Sequence, residues 1–91
     1  MIFTATRGQA FTETFEFKND RGQSLSVPYG EYVVSLERGD FVKEYKNLRV
    51  LRNSVIWNIA ADDTKELKYD TLYFVLTFNG TQISRGVLRV K

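Results

Sequence analysis

The segment from Leu67 to Val90 constrains the fold of this chain more than any other part of the sequence. Apolar side chains recur at alternate positions along 72–78, a second run rich in apolar residues occupies 81–90, and Asn79-Gly80 separates the two runs. A period of two is typical of β-strands, and Asn-Gly is a residue pair that two-residue hairpin turns favour. The segment therefore predicts a β-hairpin, and nothing in it indicates a chemical activity.

Short strands are also predicted along the rest of the chain. Phe15 and Phe17 share one face of a first long strand, and a regular alternation places Trp57 in a later one. The region from Phe41 to Arg52 alternates less strictly, which indicates an edge strand with a bend or a bulge. No stretch with the period of a helix exceeds two turns. The pattern as a whole is that of an all-β protein.

The length of the chain and the spacing of these strands indicate one compact unit. With 91 residues there is room for a single domain, residues 1–91, with a two-layer core. We expect a β-sandwich of about seven strands in two antiparallel sheets, immunoglobulin-like or fibronectin-like in shape. Residues 62–67 favour about one helical turn, with Asp62 or Asp63 as the N-cap and Leu67 closing over the end of the sheets.

The spacing of Leu67, Thr71 and Tyr73 resembles the tyrosine corner of fibronectin type III modules. In such a corner the phenol hydroxyl near the start of a central strand donates to the backbone of the preceding loop. The resemblance implies that Tyr73 is buried and hydrogen-bonded. The predicted structural core comprises Phe15, Phe17, Trp57, Leu67 and Tyr73.

Five short motifs follow one another along nearly the whole chain. They are Arg7-Gly8-Gln9-Ala10-Phe11, Asp20-Arg21-Gly22-Gln23-Ser24-Leu25, the connection from Thr64 to Leu67, the strand with Tyr73, and Gly86-Val87-Leu88-Arg89-Val90. Together they resemble the small β-sandwich proteins of tailed bacteriophages of the LtfC type, which usually have Gly at the position of Asp70. The resemblance implies a virion structural protein, either a minor capsid or head decoration protein or a tail or baseplate component. It implies that the partners are other virion proteins on a repeating lattice, and that the chain is made in the host cytoplasm and located in the virion.

The side chains on which most enzymes depend are missing from the sequence. It contains no His and no Cys, which removes the commonest general base and the thiol nucleophile. Asp62, Asp63 and Asp70 offer carboxylates to a hard cation, but adjacent Asp residues at a helix start are more often caps. No glycine-rich phosphate loop of a common spacing occurs. We therefore predict a protein that is not an enzyme, with no catalytic, cofactor-binding or metal-binding residues and no small-molecule substrate.

Charge and hydropathy argue against nucleic acid and membrane partners. The formal net charge is only +2, and most aromatic residues share faces with Val and Leu, as core residues do. No apolar run of about 18 residues occurs, so no membrane span is expected. Arg38-Gly39-Asp40 is interpreted as an ordinary surface turn rather than an adhesion motif. A basic surface on one sheet would require the following residues to lie together: Lys46, Arg49, Arg52, Arg85, Arg89 and Lys91.

The strand before Asn79 has apolar residues on both faces, which is the strongest indication of a binding role. If the Tyr73 side of this strand faces the core, its other side is exposed, although antiparallel sheets normally carry polar residues there. An exposed apolar patch of that size marks an interaction site. The predicted partner interface comprises Leu72, Phe74, Leu76 and Phe78, with Arg85 and Arg89 at its rim. Two alternatives stay open for this strand: another segment of the chain covers it, or its two faces are inverted. The alternative function is a fibronectin-like adhesion or carbohydrate-binding module.

Overall fold

The structure, a computed structural model, describes residues 1–46 and 48–91. This part of the chain contains eight strands and one short helix. They are β1 (Ile2–Ala5), β2 (Phe11–Glu16), β3 (Tyr32–Arg38), β4 (Phe41–Tyr45), β5 (Arg49–Val50), β6 (Ser54–Ile59), α1 (Ala61–Lys65), β7 (Thr71–Phe78) and β8 (Thr81–Val90).

The strands form two sheets that pack face to face as an all-β sandwich. The five-stranded sheet has the order β1-β8-β7-β3-β4 and the three-stranded sheet has the order β2-β6-β5. The neighbours β8-β7-β3-β4 and β2-β6-β5 match the G-F-C-C′ and B-E-D strands of the immunoglobulin fold. The predicted fold class is confirmed. The prediction of purely antiparallel sheets is wrong, because β1 runs parallel to β8 with Ile2 opposite Val87.

Aromatic rings from both sheets fill the space between them. Trp57 of β6 is fully buried, and its ring lies 5.1 Å from that of Phe11 and 5.8 Å from that of Phe74. Phe74 also stacks on Phe3 of β1, with ring centroids 5.0 Å apart. Such pairs add stability beyond the burial of their area. Among the predicted core residues, Phe15, Trp57 and Leu67 are buried and Phe17 is partly buried against the same cluster.

The two faces of β7 are inverted relative to the predicted interface. Leu72 and Phe74 are fully buried, while Tyr73 is 52% exposed. The larger apolar set takes the inner face because its burial removes more apolar surface from water. Gly86, opposite Phe74 on β8, leaves room for the Phe74 ring, since an added Cβ would lie 2.6 Å from it. Two predictions are therefore wrong: Tyr73 is not a core residue, and the inner set of Leu72, Phe74, Leu76 and Phe78 is not an exposed interface.

The hydrogen bond expected of a tyrosine corner is made by a different tyrosine. Tyr32, the first residue of β3, is 3% exposed, and its hydroxyl donates to the carbonyl oxygen of Pro28 at 2.7 Å. Tyr32 shares the inner face of its strand with Val34 and Leu36. Tyr73 has the opposite parity to its buried neighbours, so its hydroxyl lies on the solvent side of the sheet. The corner-like contact thus lies at the start of β3 rather than β7.

The region from Phe41 to Arg52 crosses from one sheet to the other. β4 pairs with β3, with Tyr45 opposite Val34, whereas β5 pairs with β6, with Val50 opposite Val55. The change of sheet accounts for the broken alternation that predicted a single irregular edge strand. Asn47, in the middle of the predicted bend, lies outside the described residues.

The predicted helical turn is present as α1, but its cap differs from the prediction. The N-cap is Ala60 without a side-chain cap bond, and Asp62 and Asp63 lie in the first turn, where the helix dipole favours carboxylates. Thr64 is fully buried, and its hydroxyl lies 2.8 Å from the carbonyl oxygen of Gln9. The same hydroxyl accepts a hydrogen bond from the N–H of Gly8 at 3.1 Å. Through Thr64 the helix therefore anchors the loop between β1 and β2.

Candidate interaction surface

The five-stranded sheet has one side turned away from the core, and we call this side the outer sheet face. Its side chains alternate with the buried ones along each strand, as the pleat of a sheet requires. The outer sheet face consists of the apolar residues Ile2, Val33, Val42, Tyr73, Val75 and Val87, of which Val33 is buried, the charged residues Glu37, Glu44, Arg85 and Arg89, and the polar residues Thr4, Ser35, Thr71 and Thr77.

Much of the apolar part of this face is open to solvent. Tyr73 is 52% exposed, Ile2 is 58% exposed and Val42 is 59% exposed. Ile2, Val87 and Tyr73 are successive partners across β1, β8 and β7, so they form one continuous row. Beside this row lies a depression of about 360 Å³, whose lining includes Met1, Val75 and Arg85. The solvent side of a sheet normally carries polar residues, so this face is the leading candidate for a binding surface.

The positively and negatively charged residues of the outer sheet face lie on different strands. Arg85 and Arg89 belong to β8, Glu37 to β3 and Glu44 to β4, and all four side chains are exposed. The salt bridges found within residues 1–46 and 48–91 involve none of them.

Residues that pair directly across neighbouring strands form a row, and one such row shows how far apart Arg85 and Glu44 lie. Arg85 and Glu44 lie on one row with Val75 and Ser35 between them. Three strand spacings separate the two charged residues by about 14 Å, which is too far for an ion pair within the sheet. Each charge is therefore free to meet an opposite charge on another molecule.

The predicted interface residues thus divide between the two sides of the sheet. Arg85 and Arg89 lie on the exposed face, but the Leu72 set expected beside them lies in the core. The sequence reasoning missed Ile2, Val33, Val42, Val87, Glu37 and Glu44. A usable signal was available in β7 itself, because Leu and Phe are buried more often than Tyr and Thr.

The carboxylates considered for a metal site are engaged separately. The Asp63 carboxylate lies 3.7 Å from the ammonium of Lys43, and Asp70 pairs with Arg7 at 2.9 Å. Within residues 1–46 and 48–91, no group of three or more His, Cys, Asp and Glu residues is placed to hold a metal ion. The structure therefore brings no cation-binding cluster together in the described chain.

Basic residues considered for one surface are divided between the two sheets, and Arg38 of the Arg-Gly-Asp tripeptide contacts its own chain. Arg49 lies on β5, whereas Arg85 and Arg89 lie on β8 of the other sheet, so these cations do not share one sheet surface. Arg38 donates to the carbonyl oxygen of Thr71 at 2.9 Å, and its guanidinium lies 5.6 Å from the ring centre of Tyr69. These contacts hold Arg38 against its own domain.

A second concavity, of about 350 Å³, lies between the sheets. Phe15 and Leu76 of the core contribute to its wall, together with Ile83. Glu16 and Lys18 in its lining pair with each other at 2.9 Å. Since a ligand site requires polar groups that orient its ligand, this internally paired cleft is a weaker candidate than the outer sheet face.

Two polar atoms of the core have no hydrogen-bond partner among the described residues: the Tyr45 hydroxyl and Trp57 Nε1. The two rings lie 5.7 Å apart. Burial, with a smaller contribution from the Asp63 carboxylate, raises the pKa of Tyr45 to about 12. Its phenol therefore stays protonated at neutral pH.

Comparisons with protein-family models, with curated proteins and with solved structures found no match to this chain. Among the residues that the structure describes, no helix is long and apolar enough to cross a membrane. The outer sheet face is therefore the feature of this structure that bears most directly on function.

Proposed function

We propose that this protein is a non-enzymatic structural protein of a tailed-phage virion that packs against neighbouring virion proteins through the outer sheet face. It is a minor capsid or decoration protein, or a tail or baseplate component. The observation that carries the packing role is the exposure of Tyr73, Ile2 and Val42 on one regular sheet. The virion setting rests on the five motifs that resemble the LtfC-type proteins.

The composition and rigidity of the outer sheet face suit protein packing. Its centre is formed by Tyr73 and Val75, and tyrosine is enriched in the buried centre of protein interfaces. β8, β7 and β3 each pair with a strand on both sides, so little backbone freedom is lost in the central part of the face when a partner binds.

The size of the face favours a repeating assembly over an isolated complex. Five strands of about seven residues cover roughly 550 Å² per copy, whereas a standard interface buries about 800 Å² on each partner. A single contact of this size is weak, and many identical contacts on a lattice combine through multivalency.

Incorporation into assembled particles tests the proposal. Tagged protein supplied during particle assembly should co-sediment with intact virions, and Tyr73→Ala should lower its occupancy about tenfold or more because it removes the central aromatic contact. Tyr29→Ala is the matched control, since Tyr29 is fully exposed and belongs to no strand. Cooperative unfolding of both variants shows that the domain is intact.

Three results would change the conclusion. Wild-type occupancy of a folded Tyr73→Ala variant would exclude the outer sheet face as the packing surface. Absence of the wild-type protein from particles would exclude the virion role. Specific binding of the wild-type domain to glycans or to a cell-surface receptor would instead favour an adhesion or carbohydrate-binding module.

A further inference from the structure

Part of the outer sheet face is complementary in charge to a rotated copy of itself. Two identical surfaces can form a closed pair only if one two-fold rotation brings unlike groups together. A two-fold axis parallel to the strands, midway between β7 and β3, places the outer sheet faces of two copies against each other. β8 of one copy then lies over β4 of the other, and β7 lies over β3, as the strand order dictates.

The strand register determines which side chains meet across this axis. Arg85 and Glu44 lie on one row at equal distances from the axis, so each meets the other residue in the second copy. On the next row, Val87 of one copy meets Val42 of the other in the same way. Packed sheets lie about 10 Å apart, a gap that extended Arg and Glu side chains span together. Each contact occurs twice in the pair.

The alternative two-fold axis, perpendicular to the strands, produces repulsion. It places β8 over β8, so Arg85 and Arg89 of one copy face the same cations of the other. Like charges across an interface weaken it strongly. The separation of positive charge on β8 from negative charge on β3 and β4 therefore selects the axis parallel to the strands.

We propose that the partner of the outer sheet face is a second copy of this chain, paired about a two-fold axis parallel to the strands. This inference rests on the proposed function, because it names the neighbour that the same face contacts. The area of roughly 550 Å² per copy is below the standard size, so the pair is weak and dissociates on dilution. The pair contains two charged contacts, each joining Arg85 of one copy to Glu44 of the other.

Charge reversal tests the arrangement by sedimentation equilibrium of the full chain over a range of concentrations. The wild-type protein should form a reversible dimer. Arg85→Glu alone places Glu against Glu44 at both contacts, and Glu44→Arg alone places Arg against Arg85, so each variant should dimerise at least about tenfold more weakly. An equimolar mixture of the two variants should recover the wild-type association, because every contact in the mixed dimer again joins opposite charges.

Arg49→Glu is the matched control, because it makes the same change in net charge on β5 of the other sheet. This variant should dimerise like the wild type. Tyr73→Ala, which removes an aromatic ring from the centre of the face, should weaken the dimer. A wild-type protein that stays monomeric at all concentrations would overturn the inference. A mixture that dimerises no more tightly than either variant alone would overturn it as well.

Particle occupancy, measured on the same variants, separates this inference from the proposed function. If Tyr73→Ala loses occupancy while the wild-type protein is monomeric in solution and charge reversal is not rescued by mixing, the face binds a different virion protein. The self-pairing is then wrong and the packing function stands. If the mixture restores the dimer while the wild-type protein is absent from particles, the self-pairing stands and the virion role is wrong.

Discussion

Removing one hydroxyl group should destabilise the fold at Tyr32 but not at Tyr73. Tyr32 is 3% exposed and its hydroxyl donates to the Pro28 carbonyl oxygen at 2.7 Å, so Tyr32→Phe deletes this bond and leaves the carbonyl without its donor. A net hydrogen bond of this kind contributes about 1 kcal/mol, and an unpaired acceptor adds to the loss, so we expect about 1–2 kcal/mol. Tyr73 is 52% exposed, and the same deletion there should change stability by no more than about 0.5 kcal/mol.

Urea denaturation provides the measurement, because the chain has a built-in probe. Trp57 is the single tryptophan and is fully buried, so its fluorescence reports the loss of the core. With a dependence on urea of about 1 kcal/mol per molar for a chain of this size, Tyr32→Phe should lower the midpoint by about 1–2 M. A Tyr32→Phe midpoint equal to that of the wild type would refute the stabilising role of the Tyr32 hydroxyl, and a larger loss for Tyr73→Phe would place the stabilising corner on β7.

Two other predictions follow from the buried polar groups. Thr64→Val should lower the free energy of unfolding by about 1–3 kcal/mol, because it leaves the Gly8 N–H and the Gln9 carbonyl without the hydroxyl that contacts both. Thr64→Ser keeps that hydroxyl and should be more stable than Thr64→Val. Equal urea midpoints for the two variants would show that the hydroxyl does not stabilise the fold. Stability should also fall as the pH rises from 10 towards about 12, because the pKa of Tyr45 is 10.0 in the unfolded chain and about 12 in the fold. Below pH 10 both states hold the proton, and above it the unfolded chain releases the proton first. Tyr45→Phe should show a shallower decline in alkaline denaturation, and a decline as steep as that of the wild type would refute the pKa shift.

Local patterns in the sequence were sufficient to predict several elements of the fold. The Asn79-Gly80 hairpin and the buried Trp57 are both present, because a turn and a short alternation depend mainly on adjacent residues. The face of β7 was not predictable from alternation alone, since a strand with apolar residues on both sides fits either orientation. Its orientation depends on tertiary contacts, such as the space that Gly86 leaves for Phe74.

The candidate site was harder to predict than the fold because it combines residues from five strands. The row that joins Ile2 to Tyr73 exists only after β1 has paired with β8, and that pairing links opposite ends of the chain. The opposition of Arg85 to Glu44 likewise depends on the register of three strand pairs. A period of two indicates that a residue faces outward, but it does not identify the neighbours that share its face.

Several residues of the short sequence motifs have local structural roles in this chain. Arg7 donates to the Leu67 carbonyl oxygen at 2.8 Å and pairs with Asp70 at 2.9 Å, so the Arg-Gly motif fastens the connection between α1 and β7. Asp70 supplies the carboxylate of this contact. Gly86 admits the Phe74 ring, as described above. Arg7, Asp70 and Gly86 therefore shape the sandwich, whereas Tyr73, Val87 and Arg89 of the same motifs lie on the outer sheet face.

The parallel pairing of β1 with β8 also determines when this chain completes its folding. Ile2 pairs with Val87, and the Ala5 carbonyl oxygen accepts a hydrogen bond from the N–H of Lys91 at 2.9 Å. During synthesis at about 5–20 residues per second, β1 is made first and has no partner strand until residues 87–90 leave the ribosome. The hairpin of β7 and β8 closes quickly because its contacts are local, whereas the docking of β1 must close a loop of nearly the whole chain. The five-stranded sheet is therefore completed only after translation of β8, and losing the last residues of this strand would release the first strand as well.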